Sequence, residues 1–208
     1  MELRKVDAGG NYRLKMPRYR EVDVQELALS DRKAFKEALR LYAGVEAQER
    51  GAKISRDELR LWAEGWPKLV REHEGSVLVV RNPAGEVVGV AVGHVASKGV
   101  HHYPLADYPG MIAKLGAGKH YYLRLAAVHP NHRRAGACTA LLTVEEQQAK
   151  ELGCKTLFGR TREDNEVIIR QLKAAGMKQF HTLPVTIAGE TVNRIYYYKN
   201  LKQTAPGA

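Results

Sequence analysis

The sequence predicts a mixed α/β fold in one large domain that spans residues 13–201. Its 208 residues are enough for a single core, and its content of 44% hydrophobic and 27% charged residues is ordinary for a soluble globular protein. Helical and strand patterns also follow each other in a defined order: two helices, a hairpin, then strand, helix, strand, helix and two strands. These observations together favour a sheet flanked by helices.

The first part of the chain predicts an arm, a strand and a helix. Residues 1–12 are polar and contain glycine, which indicates a flexible arm. Residues 12–22 predict a strand with an irregularity at Pro17. Apolar residues then recur at helical intervals over 23–45, and Asp23 is the candidate cap of this helix.

A second helix and a hairpin follow. Ser55 is the predicted helix cap, because Glu58 stands three residues later at the capping-box spacing. Pro67 should kink or split this helix. Two runs rich in β-branched residues flank the turn sequence NPAG within residues 77–95, which predicts a hairpin. The connection at 97–118 is long, and long connections in compact domains are usually functional or mobile.

The second half predicts strands that alternate with helices. Gly153 and Gly176 suit the left-handed ends of two of these helices. The final residues, 202–208, predict a disordered tail. The predicted elements are a strand over 120–128, a helix over 136–152, a strand over 155–160, a helix over 165–176, and two strands between 178 and 201 around Ala188 and Gly189.

Composition narrows the classes of ligand. An excess of 33 Lys+Arg over 23 Asp+Glu gives a net charge of +10, which favours anionic ligands and leaves nucleic-acid contact open. Cys138 and Cys154 bracket one predicted helix, so they should lie roughly 24 Å apart, too far for a disulfide. Their spacing with the histidines matches no zinc site, and no metal is expected. Without a bilayer-length apolar run or a secretory signal, we expect a cytoplasmic protein with no membrane contact.

The stretch AAVHPNHRRAGACTALL, residues 126–142, places cations where a strand passes into a helix. A helix entered from a strand presents unpaired N–H groups and the positive end of its dipole, which suits phosphate. Arg133 and Arg134 add guanidinium charge, and the small residues after them let a ligand approach the backbone. An ordinary helix start with solvated arginines fits the local pattern equally well.

Two motifs resemble those of the GNAT superfamily, the GCN5-related N-acetyltransferases. VHPNHRRAGACTALL resembles its acyl-CoA-binding signature, with Arg133 at the Arg/Gln position, Gly136 at the first glycine and Cys138 at the Gly/Ala position. DNEVIIRQLKAAGMKQF resembles the second element of the family, in which an Asn opens a helix that a Gly closes; Asn165 and Gly176 stand in those places. The resemblance is motif-level over about 119–180 and architectural elsewhere.

The resemblance implies an acyl-CoA N-acyltransferase fold, in which a mostly antiparallel sheet splays at its middle strands. It also implies an acetyl-CoA-dependent N-acetyltransferase that acts on a primary amine by direct attack. The end of the strand at 126–128 would bond the pantetheine arm, the N–H groups of 134–139 would hold the pyrophosphate, and Asn165 would lie beside the arm. The implied acetyl-CoA-binding residues are Ala126, Ala127, Val128, Arg133, Arg134, Ala135, Gly136, Ala137, Cys138, Thr139 and Asn165.

The catalytic assignments are less direct. The Val128 N–H is the candidate for polarising the thioester carbonyl. The family often has a tyrosine that protonates the departing thiolate, and Leu172 occupies that position here, so Tyr197 within a run of three tyrosines is the candidate acid. Arg124 stands where an acidic base often lies. His120, at a strand end, is the candidate base because an imidazole titrates near neutral pH.

Several side chains keep two interpretations. Trp62 and Trp66 lie four residues apart, which favours core packing over a hydrophobic lid for the acceptor. Cys138 is expected to be a packing thiol, with a covalent acyl-cysteine as the alternative. Further candidates for the acceptor site are His94, His101, His102, Asp107 and Tyr108.

The sequence leaves the acceptor amine unidentified. It could be a small metabolite, a drug or polyamine, or a protein amine. The net charge keeps open an amine carried by nucleic acid, such as a modified base or aminoacyl-tRNA. The unassigned base keeps open a regulatory module that binds CoA without turnover. Open sheet edges make a homodimer a reasonable expectation.

Overall fold

The computed structural model describes residues 2–7, 9–15, 21–96, 108–187 and 190–202. The chain divides into two compact units, the first formed by residues 1–93 and 125–144 and the second by residues 94–124 and 145–208. The strands are β1 (Glu2–Lys5), β2 (Asn11–Lys15), β3 (Val22–Glu26), β4 (Ser76–Arg81), β5 (Val87–Ala96), β6 (His120–Val128), β7 (Thr156–Arg162), β8 (Lys178–Ile187) and β9 (Glu190–Asn200). The helices are α1 (Arg32–Arg50), α2 (Arg56–Glu72), α3 (Tyr108–Leu115), α4 (Ala137–Glu151) and α5 (Glu166–Ala174), with a 3₁₀ turn at Pro130–His132.

The first unit is built on an antiparallel ladder in which each of β1 to β5 pairs with the next. Alternate residues of these strands face the first half of α4, because successive strand residues point to opposite sides of a sheet. The buried core that results comprises Tyr12, Leu14, Val24, Leu78, Val80, Val88, Ala91, Ala137, Ala140, Leu141 and Val144.

The N-terminal residues differ from the sequence prediction. Where a flexible arm was expected over 1–12, Glu2–Lys5 forms strand β1 and pairs antiparallel with β2. Only four residues long, β1 has one apolar side chain, Leu3, that packs against the core. So short a segment carries almost no periodic signal, and its pairing with β2 is what makes it a strand.

The first helix begins later than predicted. Asp23 does not cap it, because residues 22–26 form β3, with Val24 buried in the core and Asp23 bonded to Arg13 across the ladder at 2.8 Å. The cap is Asp31, whose Oδ1 accepts from Ala34 N at 2.9 Å. The predicted helix was therefore too long at its start, because it included most of the five-residue strand β3.

The second helix confirms the capping-box prediction. Ser55 Oγ accepts from Glu58 N, and the Glu58 carboxylate accepts from Ser55 N, both at 3.1 Å. The helix continues through Pro67 without being split. Trp62 and Trp66 are both buried, and the Tyr42 ring lies 4.6 Å from one and 5.7 Å from the other, so they pack in the core as expected.

The second unit contains a sheet in the order β6-β7-β9-β8. β6 and β7 are parallel, whereas β7 with β9 and β9 with β8 are antiparallel. Among the described residues, the registered β6–β7 pairs run from His120↔Thr156 to Leu123↔Gly159. Both strands continue beyond the last pair, to Val128 and to Arg162. This early end of pairing is the feature that the predicted splay of the middle strands requires.

Part of the long connection is a helix. α3 occupies residues 108–115, and Met111 on it is fully buried. His101, His102 and Asp107 lie outside the described residues, as do the predicted turn at 188–189 and the tail from 203 onward.

Candidate active site

The end of β6 is anchored within the first unit. His129 N donates to Val88 O at 2.9 Å, and Ala126 and Val128 pack against the core of that unit. Val128 O accepts from Arg133 Nε at 3.4 Å. The three residues that were predicted to bond the pantetheine arm, 126–128, therefore lie on a strand end held in place by packing and by one backbone bond.

Directly after the 3₁₀ turn, the chain passes through a segment that we call the 133–136 loop. Arg133 has an extended ψ of 159°, whereas Arg134 (φ 65°) and Gly136 (φ 85°) are both left-handed. A left-handed conformation costs a non-glycine residue about 1–2 kcal/mol. Two such residues within three positions turn the chain sharply from the strand end into α4.

The N-terminus of α4 presents backbone donors at this loop. Ala137 is the first helical residue, and the bond that Ala140 N donates to Gly136 O (2.9 Å) closes the first turn. The N–H groups of Ala137 and Cys138 therefore precede the first intrahelical bond. They also lie at the positive end of the helix dipole, which favours an anion.

The side chains around the loop add positive charge and little bulk. Arg133, Arg134 and Ala135 are exposed, and Gly136 has no side chain. Arg133 forms an ion pair with Glu49 at 3.5 Å. Within the described part of the chain, Arg134 has no acidic partner within ion-pair distance. The arrangement fits a phosphate group, since backbone donors, small side chains and a guanidinium meet on one short segment.

Cys138 has the properties of a packing residue. Burial raises the pKa of its thiol to about 11, so at neutral pH it stays protonated. Because the thiolate is the nucleophilic form, this environment argues against the covalent acyl-cysteine alternative. The neighbouring Thr139 accepts a bond at its carbonyl from Thr143 Oγ1 at 2.8 Å, within the helix.

Asn165, in the second unit, opens α5, as the motif predicts. Its Oδ1 accepts from Ile168 N at 3.2 Å, so it caps α5. The signal was available, since Asn is among the best N-cap residues. Its position beside the cofactor arm stays a prediction.

The two predicted proton-transfer residues are interior. His120 is 1% exposed, and its Nε2 donates to Gly116 O at 3.0 Å. Tyr197 is also 1% exposed, and burial raises the pKa of its phenol. In the described structure no hydrogen bond joins these two side chains. Their catalytic roles stay predictions, and burial argues against both.

Another histidine and an arginine occupy the second unit. His94 is buried, with Nδ1 donating to Val95 O at 3.1 Å and its ring 5.6 Å from that of Tyr122. Arg160, on β7, donates to the Tyr196 hydroxyl at 3.4 Å. Arg160 could not be singled out from the sequence, because one arginine at the end of a short strand pattern carries no distinctive signal.

Two further findings concern the described residues. No group of three or more His, Cys, Asp or Glu side chains there could hold a metal ion. No helix in the same residues is long and apolar enough to cross a membrane.

Comparison with known proteins identifies the family. A model of the acetyltransferase (GNAT) family matches residues 33–177, which is well over half of the chain. The fold and the helix-start loop thus define an acyltransferase. The chain belongs to the GNAT family of acetyltransferases, and so it is an N-acetyltransferase that uses acetyl-CoA.

Solved structures share its fold at low sequence identity. YncA from Salmonella typhimurium, a protein described as a putative acetyltransferase and solved with acetyl-CoA, is 17% identical with a TM-score of 0.58; the match covers 90% of this chain and 98% of that one. A ribosomal-protein-alanine N-acetyltransferase from Brucella melitensis is 18% identical (TM-score 0.59, covering 86% and 99%). NAA60 from Arabidopsis thaliana, solved with a bisubstrate analogue, is 13% identical (TM-score 0.61, covering 87% and 99%).

Proposed function

We propose that this protein binds the diphosphate of acetyl-CoA with the 133–136 loop and the first N–H groups of α4, and transfers the acetyl group to a primary amine. The observation that carries the proposal is the pair of left-handed residues, Arg134 and Gly136, directly before the start of α4. They place the N–H groups of Ala137 and Cys138 at the positive end of the α4 dipole, directly after the exposed Arg133, Arg134 and Ala135.

The remaining binding residues follow from the same strand-to-helix segment. Residues 126–128 would bond the pantetheine arm through their backbone. Arg133, Ala135 and Thr139 complete the predicted set around the diphosphate. Asn165 is proposed to lie beside the arm while also capping α5.

The reaction requires few side chains. A neutral amine attacks the thioester carbonyl, the new C–N bond forms, the C–S bond breaks, and the amine gives up one proton. The proposed role of the Val128 N–H is to polarise that carbonyl, a role that needs only a fixed backbone donor. A thiol is an adequate leaving group near neutral pH, so turnover does not depend on a dedicated acid.

His120 and Tyr197 are the proposed base and acid from the sequence analysis. Each can be tested by one substitution that keeps its shape, His120→Gln and Tyr197→Phe. A base is indicated if the first variant loses the acidic limb of the pH profile of kcat/KM. Both side chains are 1% exposed, and pH profiles that stay close to that of the wild type would remove them from the mechanism.

Amide hydrogen exchange with and without acetyl-CoA tests the binding proposal directly. We expect protection at the amides of residues 134–138 by acetyl-CoA, and no protection at the same amides by a pantetheine fragment that lacks the diphosphate. Acetyl transfer is measured in parallel by release of free CoA thiol across an amine panel. Acetyl-CoA binding without protection of these amides would contradict the proposed site, and no transfer to any amine would favour a binding module without turnover.

The acceptor is not specified by the fold. One structure with the same fold is described as a putative phosphinothricin N-acetyltransferase, and another is a NatC complex bound to a Gag peptide. The two names refer to chemically different molecules, a small compound and a peptide. The net charge of +10 favours a second candidate, an amine on nucleic acid. That candidate predicts salt-dependent retention on heparin and a mobility shift with tRNA, and it fails if neither is seen.

A further inference from the structure

The N-terminal half of α1 carries a cluster of exposed cations, which we call the α1 basic stripe. It consists of Arg32, Lys33, Lys36 and Arg40, and all four are exposed. With 3.6 residues per helical turn, they fall within an arc of about 100° around the helix axis, so they share one face. At a rise of 1.5 Å per residue, the stripe is about 12 Å long. One side of the helix therefore presents four positive charges to solvent.

The acidic side chains of α1 do not neutralise this stripe. The helix contains three glutamates, and each of them pairs with an arginine outside the stripe. No carboxylate among the described residues lies within ion-pair distance of the four cations. The three glutamate pairs are Glu37 with Arg81 at 3.0 Å, Glu46 with Arg50 at 2.7 Å and Glu49 with Arg133 at 3.5 Å.

The spacing and the position of the stripe are both unfavourable for the helix itself. Arg32, Lys36 and Arg40 follow each other at four-residue intervals, and like charges at this spacing destabilise a helix. The stripe also begins at the positive end of the helix dipole, where acidic residues are favoured, yet the first turn of α1 contains none. The first turn of α2, by contrast, contains Asp57 and Glu58. An anion bound along the stripe would relieve this repulsion.

A nucleic-acid backbone fits this surface better than a lipid bilayer does. One strand of a duplex carries a phosphate charge per about 3.4 Å, so about three phosphates lie along a stripe of about 12 Å. Arginine donors suit phosphate oxygens, and the lysines add point charges. A helix that lies on a bilayer buries apolar side chains among the lipids, whereas α1 buries its own within the protein. These buried residues are Ala34, Phe35, Ala38, Leu41 and Val45.

We propose that the α1 basic stripe binds the phosphate backbone of nucleic acid without reading its sequence. The net charge of +10 acts in the same direction, because it attracts polyanions to the whole protein. This inference deepens the second candidate of the proposed function, an amine on nucleic acid, and rests on that candidate for its choice of ligand. It concerns binding alone, so it is tested without acetyl-CoA.

The test measures the binding of two probes, a short fluorescein-labelled DNA duplex and unfractionated tRNA, by fluorescence anisotropy over a series of KCl concentrations. The stripe variant carries Arg32→Gln, Lys36→Gln and Arg40→Gln together. We expect its affinity for both probes to fall by at least about tenfold at low salt. For the duplex, the slope of log affinity against log salt should fall by about 2 to 3, because each phosphate contact contributes about 0.9.

Three arginines on α2 provide the matched control. Arg56, Arg60 and Arg71 are also exposed, and their replacement by Gln removes the same net charge from the same unit. We expect this control variant to lose less than about threefold in affinity, through the general field of the protein alone. Equal losses in the two variants would reduce the effect to net charge and would overturn the proposed surface.

The stripe variant should remain folded. Substitution of the three cations removes like charges at four-residue spacing, so we expect the melting temperature to stay the same or rise. Its affinity for acetyl-CoA, measured by calorimetry, should stay within about twofold of the wild type. If the triple variant did not fold, Lys36→Gln alone should still lower the salt slope by about 1.

The outcomes separate this surface from the proposed function. Unchanged binding in a folded stripe variant overturns the surface and leaves the amine on nucleic acid as a candidate. Failure of the wild type to bind either probe overturns both of these, whereas acetyl transfer to another amine would keep the main proposal. Stripe-dependent binding to vesicles that contain phosphatidylserine, without binding to either probe, would overturn the inference in favour of an anionic lipid surface.

Discussion

Two strand-to-helix junctions in this chain differ in what lies at the N–H groups of the helix start that lack intrahelical partners. In the first unit, the 133–136 loop enters α4 through Arg134 and Gly136, both left-handed, and the residues around them, Ala135, Ala137 and Cys138, are small. In the second unit, β7 leads to α5 through Asn165, whose own side chain accepts from Ile168 N. The start of α5 is capped by a side chain of the protein itself, whereas the start of α4 is the one that we propose holds a ligand.

The difference shows why a helix start alone does not define a binding site. Every helix begins with N–H groups that lack intrahelical partners, and a polar side chain is the usual way to satisfy them. α5 follows that rule through Asn165, and α1 and α2 follow it through Asp31 and Ser55. The α4 start instead has a strained loop, exposed guanidinium groups and little steric bulk, which is the combination that a diphosphate requires.

Gly136→Ala should break this comparison most strongly. The φ of 85° at this position is unfavourable for alanine, so the loop should shift and misplace the first N–H groups of α4. We expect acetyl-CoA affinity, measured by calorimetry, to fall by about tenfold or more. Gly153→Ala, at the other end of α4, is the matched control, because its φ is 71° and the space around it is open. It should lose similar stability, about 1 kcal/mol, without losing affinity; equal affinity losses in both variants would argue against the loop.

Arg134→Gly should separate stability from binding. Glycine tolerates the φ of 65°, so we expect the free energy of unfolding to stay unchanged or rise by up to about 1 kcal/mol. Loss of the guanidinium should nevertheless weaken acetyl-CoA binding about three- to tenfold, more at low salt than at high salt. Glu74→Gly relieves a similar left-handed residue away from the loop and should leave the affinity unchanged. Unchanged affinity in Arg134→Gly would remove this side chain from the site.

Asn165→Ala should lower the free energy of unfolding, because it removes the N-cap of α5. Loss of an N-cap typically costs about 1 kcal/mol, and thermal unfolding measures it. Asn165→Asp keeps the capping oxygen, so we expect it to retain the stability of the wild type. The same pair tests the proposed contact with the cofactor arm: if that contact exists, Asn165→Asp weakens acetyl-CoA binding while the fold stays intact.

Cys138→Ala should have the smallest effect, with kcat within about twofold of the wild type. With a pKa of about 11 against an ordinary 9.0, the thiol should react with iodoacetamide about a hundredfold more slowly than a free cysteine at pH 8. Because the folded pKa is the higher one, the stabilising contribution of the neutral thiol is complete below pH 9 and is lost as the pH rises toward 11. Rapid alkylation at neutral pH that abolishes turnover would restore the covalent alternative.

The sequence predicted those parts of the fold whose signals are local and repeated. The Ser55–Glu58 capping box and the helix stop at Gly153 are examples, because each depends on residue types at fixed spacing. Strand β1 and the true start of α1 were missed for the opposite reason. A four-residue strand has too few alternations to register, and Asp23 and Asp31 are equally good caps until the pairing of β3 is known.

The candidate site also contains residues that could be predicted from local sequence and residues that could not. The segment from Arg133 to Thr139 could be proposed as a site from the motif alone, since its residues are contiguous. The left-handed conformation of Arg134 could not be predicted, because arginine normally avoids it. Arg160 was also out of reach, since its surroundings come from Tyr122 and Tyr196 on other strands. Long-range register, rather than composition, determines that cluster.

The parallel pairing of β6 with β7 has a consequence for the order of folding. His120 pairs with Thr156, a partner 36 positions further along the chain, and the 133–136 loop and α4 lie in the connection between them. Contacts at such separation form slowly, because a large loop must close before any of them is gained. In a chain still emerging from the ribosome, residues 120–123 should therefore lack this partner strand until β7 has been synthesised.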